Sequence, residues 1–361
     1  MIIEFDRTFD AFQPEDWVPF ITSLESLLFA HRQGWHLLVL SRKVADSIAE
    51  CSGLSAAQRS IVSSNIRPRV STLAGQARSV AKTILITHAV HSSGPFQRRQ
   101  IPMNIELFAH GENLLKSRFL VEDADTDGSY LIELASLFSD VLGAFGPLEL
   151  EVVHGGGTRT CSQYERACDE FRPLLCVVDS DKKHSLDGFG DIASRIVASG
   201  TSQYGRPIEA LILPARSIEN TVPVSTLFEV YAGNNDLRER VSCYWRYKEN
   251  VSKEDALRVL SYVDLKNGLD SVGIETIPAP ERALFRAAEA ECVAAHGPDC
   301  GLPQISNQMM RNVLLFIRAN PRNARGFSKK FRESPLYSQM QPYLRLILAY
   351  GASGGRLPIR A

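Results

Sequence analysis

Short apolar runs alternate with helix-like segments between residues 117 and 213, and this alternation constrains the fold more than any other feature. The run Leu174–Val178 holds five apolar residues in succession, which is typical of a strand covered on both faces. Strands that alternate with helices pair in parallel and are covered by those helices. The segment therefore predicts an α/β fold, a mainly parallel sheet with helices on both faces. The expected strands are 117–121, 149–153, 174–178 and 208–213, and the expected helices are 129–145, 161–171 and 187–199.

The regions on either side predict two further parts. Residues 1–95 combine β-branched runs with helical apolar spacing, which predicts a small α/β unit ahead of the central unit at 105–223. Residues 91–103 are polar and contain Pro and Gly, as linkers do. Residues 224–361 predict a helical region with a basic tail. In the first unit the expected elements are strands over 35–40 and 84–90 and helices over 17–31, 42–50, 55–66 and 69–82, with Ser41 as a cap and a break at Pro68.

Composition argues against a membrane or secreted protein. Of the 361 residues, 44% are apolar and 22% are charged, which allows a sizeable core. No apolar run reaches the roughly 18 residues that a membrane helix needs, and the start MIIEFDRTFD lacks the basic and apolar regions of a signal peptide. The seven cysteines include no CxxC pair. Reduced thiols in a cytoplasmic protein are therefore expected.

Charge is segregated along the chain, although the net charge is only −1. Residues 51–105 hold seven Arg or Lys and no acid, residues 311–361 hold ten against Glu333 alone, and residues 106–310 hold 32 acids against 19 bases. Basic segments around an acidic centre predict a nucleic-acid partner, DNA or RNA, while ordinary variation of surface charge is the alternative. The residues expected to bind nucleic acid are Arg67, Arg69, Arg78, Lys329 and Lys330. Near the C-terminal end, the aromatic residues Phe316, Phe327, Phe331 and Tyr337 alternate with the basic residues Arg318, Arg322, Arg325, Lys329, Lys330 and Arg332. This pattern can bind a phosphate backbone and stack on bases, or it can belong to helices that pack against the central unit.

Carboxylates follow three of the predicted strands. Glu122 follows the first strand, Asp179 and Asp181 follow the third, and Glu219 lies shortly after the fourth. The carboxyl ends of parallel strands meet at one edge of a sheet, where α/β proteins bind ligands. Converging carboxylates repel one another unless a cation joins them, and Mg²⁺ or Mn²⁺ prefers oxygen ligands. The pattern predicts a divalent-metal site, provided that the chain leaves strand geometry after Asp179, since alternate strand residues face opposite ways.

Four short motifs, in this order, resemble a TOPRIM domain. They are VEDADTD at 121–127, HGGG at 154–157, VVDSD at 177–181 and SIEN at 217–220. The similarity is to the TOPRIM domains of OLD-family nucleases and their stand-alone relatives in bacterial anti-phage defence, and it covers roughly residues 115–225. By this resemblance Glu122 is a metal ligand or general base, Asp179 and Asp181 hold Mg²⁺ or Mn²⁺, and Glu219 is a further carboxylate of the metal site.

One part of the first motif departs from the family pattern. The family has Gly directly after the glutamate and Asp four positions beyond it, whereas this chain has Asp123 and Thr126 there. Asp125 or Asp127 would take the role of the missing aspartate through a local shift, and Asp127 is included among the expected metal ligands. The departure bears on the number of metal ions more than on the fold.

The activity implied by the resemblance is a Mg²⁺- or Mn²⁺-dependent endonuclease that hydrolyses phosphodiester bonds by metal-assisted attack of water. Lys182, or Lys183 beside it, is a candidate to stabilise the phosphate in the transition state, although solvated lysines after a strand would look the same. The chain has no GxxxxGK[ST] motif, so a partner ATPase or sensor protein of a defence system is expected by analogy with the family. The alternative is a non-catalytic protein that uses TOPRIM as a scaffold to bind nucleic acid or a partner.

Other residues leave two interpretations open. The glycines at 155–157 can let a phosphate approach closely or can serve only as a turn with positive φ. His154 beside them is more typical of a structural histidine. Glu25, Asp46 and Glu50 weakly suggest a degenerate PIN-like nuclease in the first unit, but residues 51–105 supply none of the further acids that such a site needs.

Overall fold

The computed structural model describes residues 1–88, 99–142, 146–200, 205–297, 301–355 and 357. These residues form two four-stranded sheets, each entirely parallel, and fifteen α-helices. The α/β fold class and the helical C-terminal region are thereby confirmed. Within the described ranges, no helix combines the length and the apolar character needed to cross a bilayer. The six described cysteines are buried and form no disulfide, and Cys300 lies outside the described residues.

The N-terminal unit contains the first sheet. Its strands are β1 (Ile2–Phe5), β2 (Leu37–Val39), β3 (Thr83–Thr87) and β4 (Gln100–Asn104). Its helices are α1 (Ile21–Arg32), α2 (Arg42–Glu50), α3 (Ala56–Ile61) and α4 (Val70–Ser79). The strands lie in the order β2-β1-β3-β4. Ser41 caps α2 as expected, because its hydroxyl accepts a hydrogen bond from Val44 N.

Two strands of this sheet correct the sequence analysis. β1 was not expected at all, and β4 occupies the end of the predicted linker, so the linker assignment is wrong for 100–103; residues 91–98 lie outside the described residues. In β4, Ile101 and Met103 are buried while their neighbours are partly exposed, which is the period of a strand. Pro102 between them concealed that signal, because proline is tolerated in strands mainly at sheet edges, where β4 lies.

The central unit contains the second sheet. Its strands are β5 (Ser117–Val121), β6 (Leu150–His154), β7 (Leu174–Val178) and β8 (Ile208–Ile212). Its helices are α5 (Ser129–Leu137), α6 (Arg159–Cys168) and α7 (Asp191–Ser199). The strands lie in the order β6-β5-β7-β8, and every neighbouring pair is parallel. The predicted parallel sheet is confirmed.

Helices cover both faces of this sheet. On one face, Leu120, Cys176 and Val178 pack in a core cluster with residues of α6 and α7. On the other face, Phe119 and Leu175 join a larger core that includes α5 and the C-terminal helices. β7 is consequently buried along its whole length, which explains its five consecutive apolar residues.

Two helices of the central unit are shorter than predicted. α5 ends at Leu137 rather than at 145, and residues 143–145 lie outside the described residues. α7 begins at Asp191 rather than at 187. The carboxylate of Asp187 accepts hydrogen bonds from the backbone N–H groups of Lys183 and Gly188 at 3.0 and 2.9 Å. These local bonds satisfy the backbone in a loop conformation and so compete with a helix.

The described residues of the C-terminal region form eight α-helices joined by turns. Its helices are α8 (Val224–Val230), α9 (Asn235–Asn250), α10 (Lys253–Leu260), α11 (Ser271–Glu275), α12 (Ala279–His296), α13 (Met309–Ala319), α14 (Pro321–Glu333) and α15 (Leu336–Gly351). The region is joined to the second sheet by α15, where the hydroxyl of Tyr343 donates to Ile212 O at 2.6 Å.

The segment that follows α15 connects the two α/β units. Glu149 N in the central unit donates to Gly351 O at 2.8 Å, and the amino group of Met1 in the first unit donates to Ala352 O at 2.9 Å. The hydroxyl of Ser353 donates to Gly34 O, again in the first unit. One hydrophobic core runs through the first unit, α5 and the C-terminal helices. The three parts therefore pack as one body.

Candidate functional site

Four acidic side chains converge at the carboxyl edge of the second sheet. Glu122 follows β5, Asp127 lies in the π-helical turn Ala124–Gly128, Asp179 follows β7, and Glu219 lies in the 3-10 turn Ile218–Thr221. Oε1 of Glu122 accepts a hydrogen bond from Asp179 N at 3.2 Å, and Oδ1 of Asp179 accepts one from Ile218 N at 3.1 Å. Because the strands are parallel, segments distant in sequence meet at this edge.

A lysine that the sequence analysis did not identify lies against these acids. Nζ of Lys266 is 2.9 Å from Oε1 of Glu219. Lys266 follows α10, and its loop is tied to the turn that carries Glu219 because the side-chain amide of Asn220 donates to Leu260 O and Val263 O at 2.8 and 2.9 Å. No motif surrounds Lys266 in the sequence, so only these long-range hydrogen bonds reveal its position.

Three carboxyl groups of the cluster, those of Glu122, Asp127 and Asp179, hold protons more strongly than ordinary carboxyl groups do. Burial raises the pKa of Glu122 to about 7, and the nearby charges of Asp181 and Asp127 add to the rise. Burial, with the charge of Glu219, raises the pKa of Asp127 to about 6. Burial and three neighbouring acids hold the pKa of Asp179 well above its usual value. The neighbouring acids therefore disfavour the ionised forms of Glu122, Asp127 and Asp179.

Lys266 compensates only part of this negative charge. Burial works to lower the pKa of Lys266, but the adjacent Glu219 outweighs it and the net shift is upward. Glu219 is only 4% exposed, and its second oxygen, Oε2, is buried without a hydrogen-bond partner among the described residues. A buried oxygen left without a partner is unfavourable by about 1–3 kcal/mol. Oε2 of Glu219 is thus a buried hydrogen-bond acceptor without a donor among the described residues.

Asp181 lies at the exposed rim of the cluster. Its φ of 54° is left-handed, so the chain leaves strand geometry after Asp179 as the sequence analysis required. Asp181 N donates to Arg216 O at 2.9 Å, which fixes this turn. A Cβ on Gly190 would lie 2.5 Å from Cβ of Asp181, so only glycine fits where the two segments touch. The ammonium of Lys182, the predicted catalytic lysine, lies 4.7 Å from the centre of the Phe189 ring.

The glycine-rich turn after β6 has a structural role. Gly155 N donates to Val121 O at 2.7 Å, and Gly156 N donates to Glu122 O at 3.0 Å, so both N–H groups are occupied. Gly156 and Gly157 have φ values of 72° and 62°, as a glycine turn needs. Nδ1 of His154 accepts a hydrogen bond from Ala124 N at 3.2 Å. Of the two interpretations left open for each, the turn and its histidine fit the structural one: they hold Glu122 in place.

No group of three His, Cys, Asp or Glu side chains in the described ranges already stands in a metal-ligating arrangement. The acids are close enough to shift one another's pKa values, but Lys266 is the only positive group for which the structure shows contact with them among the described residues.

The predicted nucleic-acid residues fall into different surroundings. Arg67 forms an ion pair with Asp46 at 2.5 Å, and Lys330 forms one with Glu229 at 2.5 Å. Arg78 and Lys329 are exposed, and Arg69 is partly buried. α14 carries four exposed cations on one face, at spacings of three, four and three residues, and none of them forms an ion pair within the described residues. This basic face of α14 consists of Arg322, Arg325, Lys329 and Arg332.

Two of the four aromatic residues expected to stack on bases, Phe327 and Phe331, are not accessible to a base. Phe327 and Phe331 are fully buried. Their rings pack against each other at 5.9 Å, and the Phe331 ring packs against Phe138 at 5.5 Å. The stacking role suggested for these two residues is wrong, because they form the apolar side of the helix whose other side carries the cations.

The chain matches no protein-family model, no curated protein and no solved structure. The resemblance to TOPRIM therefore rests on the four sequence motifs and on the parallel sheet that carries them.

Proposed function

We propose that this chain is a metal-dependent nuclease whose TOPRIM-like central unit hydrolyses phosphodiester bonds. One observation carries the proposal. The carboxyl groups of Glu122, Asp127, Asp179 and Glu219 meet at the carboxyl edge of a parallel sheet, where burial raises the pKa of three of them and one buried oxygen of the fourth has no partner in the described chain. Such an arrangement is unfavourable for packing alone and typical of a site that binds a ligand.

The donor set fits a hard divalent cation. All four side chains offer carboxylate oxygens, which Mg²⁺ and Mn²⁺ prefer. A cation would offset the burial and the mutual repulsion that raise the pKa values of Glu122, Asp127 and Asp179, and it would give Oε2 of Glu219 a partner. These four residues would hold the ion, with Asp181 at the exposed rim.

The residues around the ion have distinct roles in this proposal. When bound, Mg²⁺ or Mn²⁺ supplies a lower pKa for a bound water and positive charge for the phosphate. In the absence of a cation, burial raises the pKa of Glu122 to about 7, so its carboxyl group can exchange a proton near neutral pH. Its Oε1 receives the N–H of Asp179, so Oε2 is the oxygen that would take the proton. The ammonium of Lys266 is placed to attract a phosphate oxygen.

The surface supports a polyanionic substrate. α14 packs against α5 and α8, the helices that follow the turns carrying Asp127 and Glu219. The four cations of its basic face form no ion pair within the described residues. Exposed cations without acidic partners bind a phosphate backbone by releasing its counterions. The partner ATPase or sensor and the role in anti-phage defence stay predictions from the resemblance.

The proposal is tested by cleavage of plasmid DNA and of total RNA with Mg²⁺ or Mn²⁺. Asp179→Asn removes one charge but keeps an oxygen that can accept from Ile218 N. We expect this variant to lose at least about a hundredfold of the wild-type rate. Asp140→Asn, at an exposed acid outside the cluster, is the matched control and should cut normally. Activity that survives Asp179→Asn, or no activity in the wild type with any metal and substrate, would count against a nuclease.

A specific observation favours the alternative function. Lys266 already pairs with Glu219, as a structural ion pair would, and so partly neutralises the cluster. A non-catalytic scaffold that binds nucleic acid or a protein partner would need no more than this. Calorimetry with Mg²⁺ and Mn²⁺ separates the two functions, because the scaffold has no need of a cation and the nuclease does.

A further inference from the structure

The loop between Asp181 and α7 exposes two large apolar side chains. In this loop, residues 182–190, Leu186 is 65% exposed and Phe189 is 44% exposed. Lys182 and Lys183 begin the loop, and the ammonium of Lys182 lies over the Phe189 ring at 4.7 Å from its centre. An exposed aromatic ring next to two lysines is a surface that combines stacking with positive charge.

The loop is held in one conformation by many hydrogen bonds. Gly190 N donates to Ser180 O at 2.9 Å and closes the loop at its base. The carboxylate of Asp187 binds two backbone N–H groups inside the loop, and the hydroxyl of Ser185 donates to Oε1 of the fully buried Glu281 on α12 at 2.8 Å. The exposure of Phe189 is therefore imposed by the loop, and little ordering of the loop would oppose binding.

The same loop adjoins the acidic cluster. The backbone of Gly190 touches the side chain of Asp181, so Phe189 is one residue away from that contact. The charge of Asp181 in turn acts on the carboxyl group of Glu122. A polynucleotide that placed a phosphate at the cluster would bring a neighbouring nucleotide to the ring of Phe189.

We propose that the 182–190 loop is a stacking platform for an unpaired nucleobase, so that the site acts on single-stranded or locally unpaired nucleic acid. The inference rests on the proposed function, because the phosphate at the acidic cluster sets the position of the base. Phe189 stacks on the base, Lys182 and Lys183 contact the adjoining phosphates, and Leu186 covers the edge of the base. A base inside a duplex has both faces covered by its neighbours, so this platform selects unpaired nucleotides.

Binding of a fluorescent single-stranded oligonucleotide, and of a duplex of the same sequence, tests the platform. The measurement is anisotropy in the full chain carrying Asp179→Asn, which prevents cleavage. Phe189→Ala is expected to weaken single-strand binding about tenfold and to leave duplex binding unchanged. Phe189→Trp should restore it, because tryptophan also stacks. Val272→Ala is the matched control, since Val272 is a 75% exposed apolar residue on α11.

The outcomes separate this inference from the nuclease proposal. Equal single-strand affinity in the Phe189→Ala and control proteins, or an equal loss with duplex, overturns the platform even if cleavage depends on Asp179. A Phe189-dependent preference for single strands, together with a wild-type chain that cleaves no substrate with any metal, supports the platform and contradicts the nuclease proposal. Failure of Phe189→Trp to restore binding would mean that ring stacking is not the source of the single-strand affinity, which also overturns the inference.

Discussion

In the site, burial and the charges of neighbouring acids make it unfavourable to ionise Glu122, Asp127 and Asp179. Glu122, Asp127 and Asp179 all have raised pKa values, while Lys266 holds its proton beside Glu219. An arrangement of this kind stores unfavourable electrostatic energy when no cation is present. The protein should therefore become more stable when single acids of the cluster are neutralised, which is unusual for buried polar side chains.

Glu122→Gln tests this through the pH dependence of stability in EDTA. The carboxyl group of Glu122 titrates near 4.5 ordinarily and near about 7 in the fold. Between these values the folded chain retains a proton that the unfolded chain has lost, so the free energy of unfolding falls as pH rises through this window. We expect Glu122→Gln to exceed wild type by on the order of 1 kcal/mol at pH 8 and to equal it below about pH 5.

Denaturant titrations at several pH values supply the measurement. Glu239→Gln, at an exposed glutamate of α9, should show no such dependence. If Glu122→Gln were less stable than wild type over the whole range, the carboxyl group would be favourably placed, and the metal site would lose part of its physical basis.

Lys266→Met should have the opposite effect. The change keeps an apolar stem but removes the only positive charge in contact with Glu219 among the described residues. After allowance for solvent screening of the half-exposed lysine, a loss of about 1–2 kcal/mol is expected in EDTA. Excess Mg²⁺ should recover most of it, because a cation can replace the ammonium. Thermal melts compare it with Lys253→Met, an exposed lysine of α10, and equal stability of the two proteins would contradict the assignment.

At the scale of elements, one side of α14 packs in the core and the opposite side carries exposed cations. Phe327 and Phe331 are buried, and the four cations of the basic face of α14 are exposed. Arg325→Ala is expected to reduce the slope of log affinity against log salt by about 1, since one phosphate contact is lost. Lys330→Ala is the matched control, because Lys330 already pairs with Glu229 and should leave the slope unchanged. Identical slopes in both variants would show that this face does not meet the backbone.

The sequence predicted those elements whose signal is local. The predicted bounds of β5 and β7 agree with the structure, and β7 is a continuous apolar run because it is buried on both faces. Glu122 and Asp179 were found because they directly follow predicted strands, and Asp127 was included through the resemblance to TOPRIM. Lys266 was not predicted from the sequence, because its loop is positioned by hydrogen bonds from Asn220, which is distant in sequence. The start of α7 was missed because hydrogen bonds to a single side chain, Asp187, outweigh helical propensity.

The molecule as a whole should unfold in one step. The larger hydrophobic core includes residues from the first unit, α5 and the C-terminal helices, and Lys82 pairs with Glu209 across the two α/β units at 2.5 Å. Variants that keep only Trp17, in the first unit, or only Trp245, on α9, report on separate parts of this core. Their fluorescence midpoints in urea are expected to coincide. Two separate midpoints would mean that the units are independent domains.

The two sheets share one order of strands. In each, the second strand along the chain lies at one edge, followed by the first, third and fourth. Asp6 follows β1 as Glu122 follows β5, but Asp6 caps the next turn by accepting a hydrogen bond from Thr8 N at 2.9 Å. His88 follows β3 as Asp179 follows β7, but its ring packs 5.0 Å from that of Phe9.

The chain thus contains the same strand order in both sheets, with different side chains at the corresponding strand ends. In the first sheet, Asp6 caps a turn and His88 packs against an aromatic ring. In the second sheet, the corresponding residues Glu122 and Asp179 belong to the acidic cluster. A relative recognised only by this topology would say nothing about chemistry. The residues that directly follow its strands would show whether such a relative has the structural side chains of the first sheet or the acidic cluster of the second.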